Sequence, residues 1–430
     1  MAWDFETDSD FQTQLDWMDE FVRSRVEPLD EVLGSPYDVK NPANIRLVRP
    51  LQAEVKQRGL WACHLGAELG GPGFGQVKLA LMNEILGRSF FAPTVFGCQA
   101  PDSGNAEILA HFGTDAQKAR WLQPLLANEI VSCFAMTEPQ GGADPAVFTT
   151  QAVRDGDEWV ISGEKWFASN GRFADFFIVV AVTDPEAPLM SRQSMFIVPA
   201  DTPGVEIVRN VGMAVEKVAG HAYMRFEQVR VPADHVLGGV GQAFVVAQTR
   251  LGGGRVHHAM RTLGEARKVF EMTCERVVSR HTKGEPLARK QLVQEKIADS
   301  WIEMEQFRLF LLRTAWRIDK YHDYKRVLKD IAAIKALMPK LLHDIATRAV
   351  HLHGSIGVSD EMPFVHSVIN SMWLALADGP TEVHKVTVAR QLLGDVAPSK
   401  DLFPSYHLPR VHAQAMALYG DMLEDLQGVL

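Results

Sequence analysis

The chain has 430 residues, is 47% hydrophobic and 23% charged, and carries a formal net charge of −9 at pH 7. This is the profile of a globular protein with ample core in two or three domains, and the acidic balance, with no Lys/Arg-rich run, argues against a nucleic-acid partner. The four cysteines, Cys63, Cys98, Cys133 and Cys274, form no C-x-x-C pair, so neither a structural metal site nor a disulfide framework is indicated.

The N-terminus, Met1 to Asp8, is acidic and has neither a basic n-region nor an apolar h-region. The longest strongly apolar run, Phe176 to Val182, is too short to span a bilayer, so the expectation is a cytoplasmic chain without a membrane span. From Phe11 to about Ile130 the apolar spacing is helical: Leu15, Met18, Phe21 and Val22 form one face, and Leu79, Leu81, Met82, Ile85 and Leu86 another. A helix is predicted to open at Gly113-Thr-Asp-Ala-Gln-Lys118 and to run through Trp121, Leu122, Leu125 and Leu126. Residues 1–131 read as an N-terminal helical domain.

The pattern changes near Ser132. Short β-branched and aromatic runs at 158–163, 176–182, 194–199, 205–208 and 222–231, punctuated by Asp155-Gly, Asn170-Gly and Pro203-Gly, predict a middle β-domain over 132–242. It opens with Ser132-Cys-Phe134-Ala-Met136-Thr137-Glu138-Pro139-Gln-Gly141-Gly142, where a strand end and a Gly pair present backbone N–H groups and a hydroxyl. Gly163-Glu-Lys-Trp166-Phe167-Ala-Ser169-Asn170-Gly171 follows. Strand alternation puts Phe167 and Ser169 on one face, an aromatic beside a hydroxyl, which suits a flat cofactor.

Helical periodicity returns over 243–430, in long segments at 256–279, 290–320, 324–350 and beyond Thr381, enough for an antiparallel four-helix bundle. Gly238-Gly-Val-Gly241 reads as the linker into it. His257 and His258 are adjacent on a helix, point to different faces and do not make a metal pair. Near the end, Met372-Trp-Leu-Ala-Leu-Ala377-Asp378-Gly379-Pro380-Thr381 reads as a helix, a break, and a second helix capped by Thr381. Asp378 sits at the break between an apolar wall of Leu374, Leu376 and Ala377, which would raise its pKa, and a helix start, which would lower it. The residues alone leave two readings open, ordinary Asp-Gly turn chemistry and a general base.

Taken together, these segments resemble the acyl-CoA dehydrogenase family over nearly the whole chain. The helical, β, helical order matches, as do Gly113-Thr-x-x-Gln117-Lys118, Thr137-Glu138-Pro139, Gly163-Glu-Lys-x-x-x-Ser169-Asn170-Gly171, and Asp378-Gly379 followed by Val388-Ala-Arg390. A narrower likeness, to the dehydrogenase part of large animal proteins that also carry a phosphotransferase-like kinase domain, rests on Ala100-Pro-Asp-Ser-Gly-Asn105, Arg250-Leu-Gly-Gly-Gly-Arg-Val-His-His258 and Ala377-Asp-Gly-Pro-Thr-Glu-Val-His384. These 430 residues contain no kinase-like part.

The resemblance implies FAD-dependent α,β-desaturation of an acyl-CoA thioester. Asp378 would be the base, in place of the glutamate usual in the family. The family's alternative base position falls on Gly254. Thr137 and the N–H groups around Phe134 and Met136 would meet the pyrimidine side of the flavin, Ser169 its N5, and Phe167 its ring. Arg280 and Thr282 would meet the pyrophosphate from a second subunit, with Gln291, His351 and Gly354 also near FAD, so a homodimer or homotetramer is implied. Arg255, Ala377 and Gly379 would border the substrate, the thioester carbonyl being polarised by the Asp378 N–H. An electron-transferring flavoprotein would be the acceptor.

Two positions depart from the family pattern: Ala143 where serine is common, and Lys283 where an aromatic is common. The small Ala375 and Ala377 suggest tolerance of a branched or substituted acyl chain. Alternative reactions on the same fold are elimination of phosphate from a 4-phosphoryloxyacyl-CoA in 4-hydroxy acid catabolism, and oxidation of a non-thioester carbon acid. A scaffold that has lost the flavin is disfavoured by intact Thr137, Ser169, Arg280 and Asp378.

Overall fold

The computed structural model describes residues 6–213 and 218–427, so the first five residues of the segment inspected for targeting signals lie outside it. Contacts divide the chain into a main unit through Lys385 and a second unit from Val386.

The main unit begins with helices α1 (Ser9–Phe21), α2 (Pro42–Gln57), α3 (Gly75–Leu86) and α4 (Asp102–Phe112). Their apolar faces are the ones the spacing predicts, with Leu15, Met18 and Phe21 buried on α1 and Leu79, Met82 and Leu86 on α3. The segment after Gly113 starts with a capping box, in which the Thr114 and Gln117 side chains each accept the other residue's backbone N–H.

Strands β1 (Ser132–Ala135), β2 (Gln151–Asp155), β3 (Glu158–Ser169), β4 (Phe176–Val182), β5 (Gln193–Pro199), β6 (Val205–Val211), β7 (His221–Pro232) and β8 (Val236–Leu237) form one eight-stranded sheet. Its order is β6-β7-β3-β2-β4-β5-β8, with β1 joined in parallel to β4. Apolar side chains cover β4 on both faces. Phe176, Ile178 and Val180 pack with α4 and Trp121, while Phe177 and Val179 join Trp159, Phe196 and Phe226. That two-sided burial explains why β4 is an unbroken apolar run instead of an alternating one. Strand β2 has no such signal, because only Ala152 on it is buried.

Helices α5 (Ala243–Ser279), α6 (Gln291–Tyr321), α7 (Tyr324–His353) and the shorter α8 (Phe364–Leu374) pack together and share one core with the N-terminal helices. α5 and α3 touch at glycines. A Cβ on Gly264 would stand 2.2 Å from the Glu84 carbonyl oxygen and one on Gly87 2.1 Å from that of Arg261, so neither position tolerates a side chain without the helices parting. Helix α9 (Thr381–Gly394) runs across the unit boundary. The second unit continues with a segment in which Arg410 pairs with Asp401 at 3.0 Å, and with α10 (Leu408–Gln427), which exposes Leu418 and Met422. Among the described residues no helix is long and apolar enough to cross a membrane.

Lys165 and Glu138 form an ion pair at 2.8 Å, their side chains 0% and 1% exposed. Lys165 also donates to the Met136 carbonyl at 2.9 Å, and Glu138 accepts the backbone N–H groups of Thr149 and Thr150. Removing one partner leaves the other charge buried. Glu138→Ala is therefore expected to cost about 3–5 kcal/mol. Urea unfolding checks this, and a loss below about 1 kcal/mol would show that the pair is replaceable.

Candidate active site

Asp378 and Gly379 form a left-handed break, with φ of 53° and 101°. The break is closed by backbone contacts. The Thr381 N–H donates to the Ala375 carbonyl at 2.9 Å, and the Thr381 hydroxyl turns back to the same oxygen at 3.4 Å. Thr381 is thus the first residue of α9 and not its cap, which corrects the sequence expectation.

Side chains from two other helices hold the break. Arg255 Nε donates to the Asp378 carbonyl at 3.1 Å, and His384 Nε2, on α9, lies 3.2 Å from the same oxygen. Because a carbonyl only accepts, His384 carries its proton on Nε2, in keeping with a neutral ring that burial pushes down to about 4. Lys335 on α7 is fully buried and donates to the Leu374 carbonyl, the last of α8, at 2.7 Å.

The carboxylate itself points at α5. Residues 250, 254 and 258 are spaced by four and share one face of that helix. His258 Nε2 is 3.4 Å from Asp378 Oδ2, and a Cβ on Gly254 would be 3.3 Å from the same oxygen. The position where the resemblance puts an alternative base therefore faces the Asp378 carboxylate, and glycine there leaves room for it.

The surroundings are more polar than the sequence suggests, since Leu376 is 69% exposed and forms no wall. Burial opposes ionisation of Asp378, but the positive field around it prevails and holds the carboxyl below its ordinary value. Burial pushes His258 down to about 4, so at neutral pH it is uncharged. The groups that hold Asp378 down are His258 first, which gains its charge in acid, and then Arg250, Arg255 and Lys335.

Arg250, Asn105, Ser132 and Asp102 form a connected network from α5 through α4 to β1. Arg250 Nε donates to Asn105 Oδ1 at 2.9 Å, Asn105 Nδ2 to Ser132 Oγ at 2.9 Å, and Ser132 Oγ to Asp102 Oδ1 at 2.6 Å. The guanidinium lies 4.1 Å from the Phe134 ring centroid. Burial raises Glu107 to about 7, and its Oε2 would be 3.1 Å from a Cβ on Gly253. The Tyr324 ring would be 3.4 Å from one on Gly252. Each of the three consecutive glycines thus faces a different polar side chain. Sequence reasoning gave no role to Arg250, Asn105, Glu107 or Lys335, and it treated His258 only as a rejected metal ligand. The signal was present in the two motifs of the narrower likeness, Ala100 to Asn105 and Arg250 to His258, which the fold brings together.

On the sheet, Phe134, Met136 and Thr137 are half-buried where β1 ends, and the Thr137 carbonyl accepts the Trp166 N–H at 2.8 Å. Simple alternation does not continue to the end of β3. A register shift between Lys165 and Ala168 leaves Lys165 buried and Phe167 39% exposed, at φ 54°. Phe167 and Ser169 nevertheless meet one partner, His221. Phe167 stacks on its ring at 4.7 Å and 25°, and Ser169 Oγ lies 3.1 Å from its Nδ1. An aromatic ring held out at positive φ and backed by a second ring fits a flat heteroaromatic group such as the implied flavin.

The remaining implied cofactor residues lie elsewhere. Arg280 is 25 positions beyond Arg255, roughly 37 Å along the helix direction at 1.5 Å per residue. Arg280, Gln291, His351 and Gly354 are all exposed, and Thr282 is half-buried in a two-strand hairpin turned by Lys283 and Gly284. Ala377 is half-buried beside the base. Among the described residues no group of three or more His, Cys, Asp or Glu could hold a metal ion, and the four cysteines are free thiols.

Three family models match in order: acyl-CoA dehydrogenase N-terminal domain at residues 10–129, middle domain at 133–229 and C-terminal domain at 241–393. A probable acyl-CoA dehydrogenase of Mycobacterium tuberculosis is 39% identical over 391 residues, covering 89% of this chain and 94% of that protein. Acyl-CoA dehydrogenase family member 11 of Rattus norvegicus is 38% identical over 390 residues, 88% of this chain, and the chain spans only 50% of that protein's length. The solved structure of a putative acyl-CoA dehydrogenase from Mycobacterium abscessus superposes with a TM-score of 0.84 at 36% identity, over 91% of this chain and 100% of that one.

A Cβ on Gly379 would combine φ 101° with a 3.0 Å approach to His384 Nε2. Gly379→Ala is expected to cost only about 1–2 kcal/mol of stability. With Asp378 as a general base, the same change should lower the rate roughly 100-fold, because the carboxylate is displaced. Urea midpoints and steady-state rates on the same preparation separate the two effects.

Proposed function

Because this chain belongs to the acyl-CoA dehydrogenase family, we propose that it is an FAD-dependent acyl-CoA dehydrogenase whose base, Asp378, removes the α-proton of an acyl-CoA thioester. The observation that carries this reading is a 19% exposed carboxylate side chain held below its ordinary pKa by His258, Arg250, Arg255 and Lys335. A carboxylate with a depressed pKa is always ready but weakly basic. A bound acyl chain would displace water from it and strengthen it, while the Asp378 N–H, donating to the thioester carbonyl, would acidify the α-proton. Arg255 and His384 hold the Asp378 backbone, so the donor N–H and the accepting carboxylate are fixed by the same turn.

FAD, when bound, supplies a two-electron acceptor for the β-carbon. The backbone around Phe134 and Met136, with Thr137, Ser169 and Phe167, would hold its ring. Arg280, Thr282, Gln291, His351 and Gly354 would serve the FAD of a partner subunit, which makes a homodimer or homotetramer part of the proposal. An electron-transferring flavoprotein is the proposed reoxidant.

One observation favours a second reading. Arg250, on the α5 face that meets the Asp378 carboxylate and held by Asn105, puts a buried cation beside the base, a poor match for a plain hydrocarbon chain. An acyl chain with a polar substituent matches it better. Elimination of phosphate from a 4-phosphoryloxyacyl-CoA, with the same base, therefore stays as the alternative reaction.

An anaerobic visible spectrum with a panel of acyl-CoAs decides between them. Bleaching of the flavin band by a saturated acyl-CoA, slowed about 10²- to 10⁴-fold in Asp378→Asn, is the expected result for desaturation. Phosphate release from the 4-phosphoryloxy ester under a persistent yellow spectrum would establish elimination instead.

The pH profile of kcat/KM supplies a further check. Asp378 is depressed in the free enzyme, so it stays ionised through the ordinary carboxylate range, and its acidic limb should lie below the usual 3.8. Arg250→Gln removes positive field and should move that limb to higher pH.

A further inference from the structure

His221 belongs to none of the motifs that identify the family, yet it touches two of the residues assigned to the cofactor. It lies directly opposite Ser169 across the β3/β7 pair and is bonded on its other side to β6, so its backbone is fixed in the interior of the sheet. The ring is buried, with the residue 6% exposed, and burial pushes it down to about 4, so it is neutral. A neutral imidazole has one N–H and one bare nitrogen. With the proton on Nε2, the form a neutral histidine intrinsically prefers, Nδ1 is bare, and the Ser169 hydroxyl 3.1 Å away donates to it. The Ser169 oxygen then has no proton left for any group on its open side and offers only lone pairs. The same ring also backs Phe167 at 4.7 Å.

We propose that His221 is a positioning residue for the flavin, taking the Ser169 hydroxyl proton so that Ser169 meets the cofactor as a hydrogen-bond acceptor, while its ring backs Phe167. The proposal rests on the reading that FAD lies against Phe167 and Ser169. Its consequence concerns redox balance. On taking up two electrons and two protons, FAD exchanges a bare N5 for an N5–H. An acceptor at that place is satisfied by the reduced form and repels the lone pair of the oxidised form. His221 thereby favours reduced over oxidised cofactor without touching the reacting carbons.

The test is the midpoint potential of protein-bound FAD, measured by anaerobic titration with dithionite against a reference dye in the wild-type holoenzyme and in His221→Phe, Ser169→Ala and the double variant. His221→Phe keeps an aromatic ring beneath Phe167 and removes the acceptor nitrogen together with the Nε2–H. Each single variant is expected to weaken the reduced form relative to the oxidised about tenfold, which for two electrons is about 30 mV lower. The double variant should go no further than Ser169→Ala. A wild-type potential in His221→Phe alongside a shifted Ser169→Ala would overturn the proposal, as would a potential that rises. Should His221→Phe lose its FAD, His221→Gln, whose amide oxygen still accepts from Ser169, is expected to keep the wild-type potential, and a lowered value overturns the idea. A wild-type protein that binds no FAD removes the cofactor reading itself, and this proposal with it.

Discussion

The left-handed turn at Asp378 and Gly379 is the constraint on which the rest of the site depends. A non-glycine residue at φ 53° is held against a local preference of roughly 1–2 kcal/mol, and the structure supplies what overrides it. Arg255 and His384 share the Asp378 carbonyl, while Lys335 fixes the end of the helix just before the turn. Two helices, α5 and α9, thus determine one backbone oxygen, and a third, α7, fixes the helix end that leads to it. The side chain on that residue has little choice but to face the strip of α5 between Arg250 and His258.

The same groups solve an electrostatic problem. Burying a carboxylate in a low-dielectric site costs several kcal/mol, and left alone it would take up a proton and cease to be a base. His258 and the three cations Arg250, Arg255 and Lys335 around it reverse the outcome, so Asp378 ends below its ordinary pKa in spite of burial. The solution has a chemical consequence, because each unit of depression removes about 1.4 kcal/mol of proton affinity. On the proposed reading, a base this weak would need a carbon acid whose anion is stabilised elsewhere, which fits a substrate with a polarised carbonyl at the turn's N–H.

The fold was largely legible because burial imposes period. Leu15, Met18 and Phe21 could only be one helical face, and the two-sided burial of β4 wrote itself as an unbroken apolar run. The break at Asp378 was legible for a different reason, since Asp-Gly-Pro is chemically incompatible with a continuing helix. What sequence could not show were the partners. Arg250 and Asn105 are 145 positions apart and Lys335 and Leu374 are 39 apart, and nothing local in either segment announces the other. The end of β3 departs from simple alternation because a bulge obeys no two-residue period: alternation would group Lys165 with Phe167, whereas one is sealed inside with Glu138 and the other is turned outward onto His221.

Helix α5 connects these observations. Its first half contributes Arg250, Gly254, Arg255 and His258 to the carboxylate, and its middle packs so closely on α3 that glycines meet carbonyl oxygens. Its 37 residues span about 55 Å, so its last turn, with Arg280, opens onto surface far from Asp378. A single rigid rod therefore ties the Asp378 carboxylate near one end to an exposed basic terminus at the other. The two ends cannot serve one bound molecule near Asp378 within the same chain. On the proposed reading, a pyrophosphate held by Arg280 and Thr282 would be that of a cofactor whose ring lies against the Phe167 and Ser169 of another copy, and the packing that fixes Asp378 in one subunit would also fix the clamp offered to its neighbour.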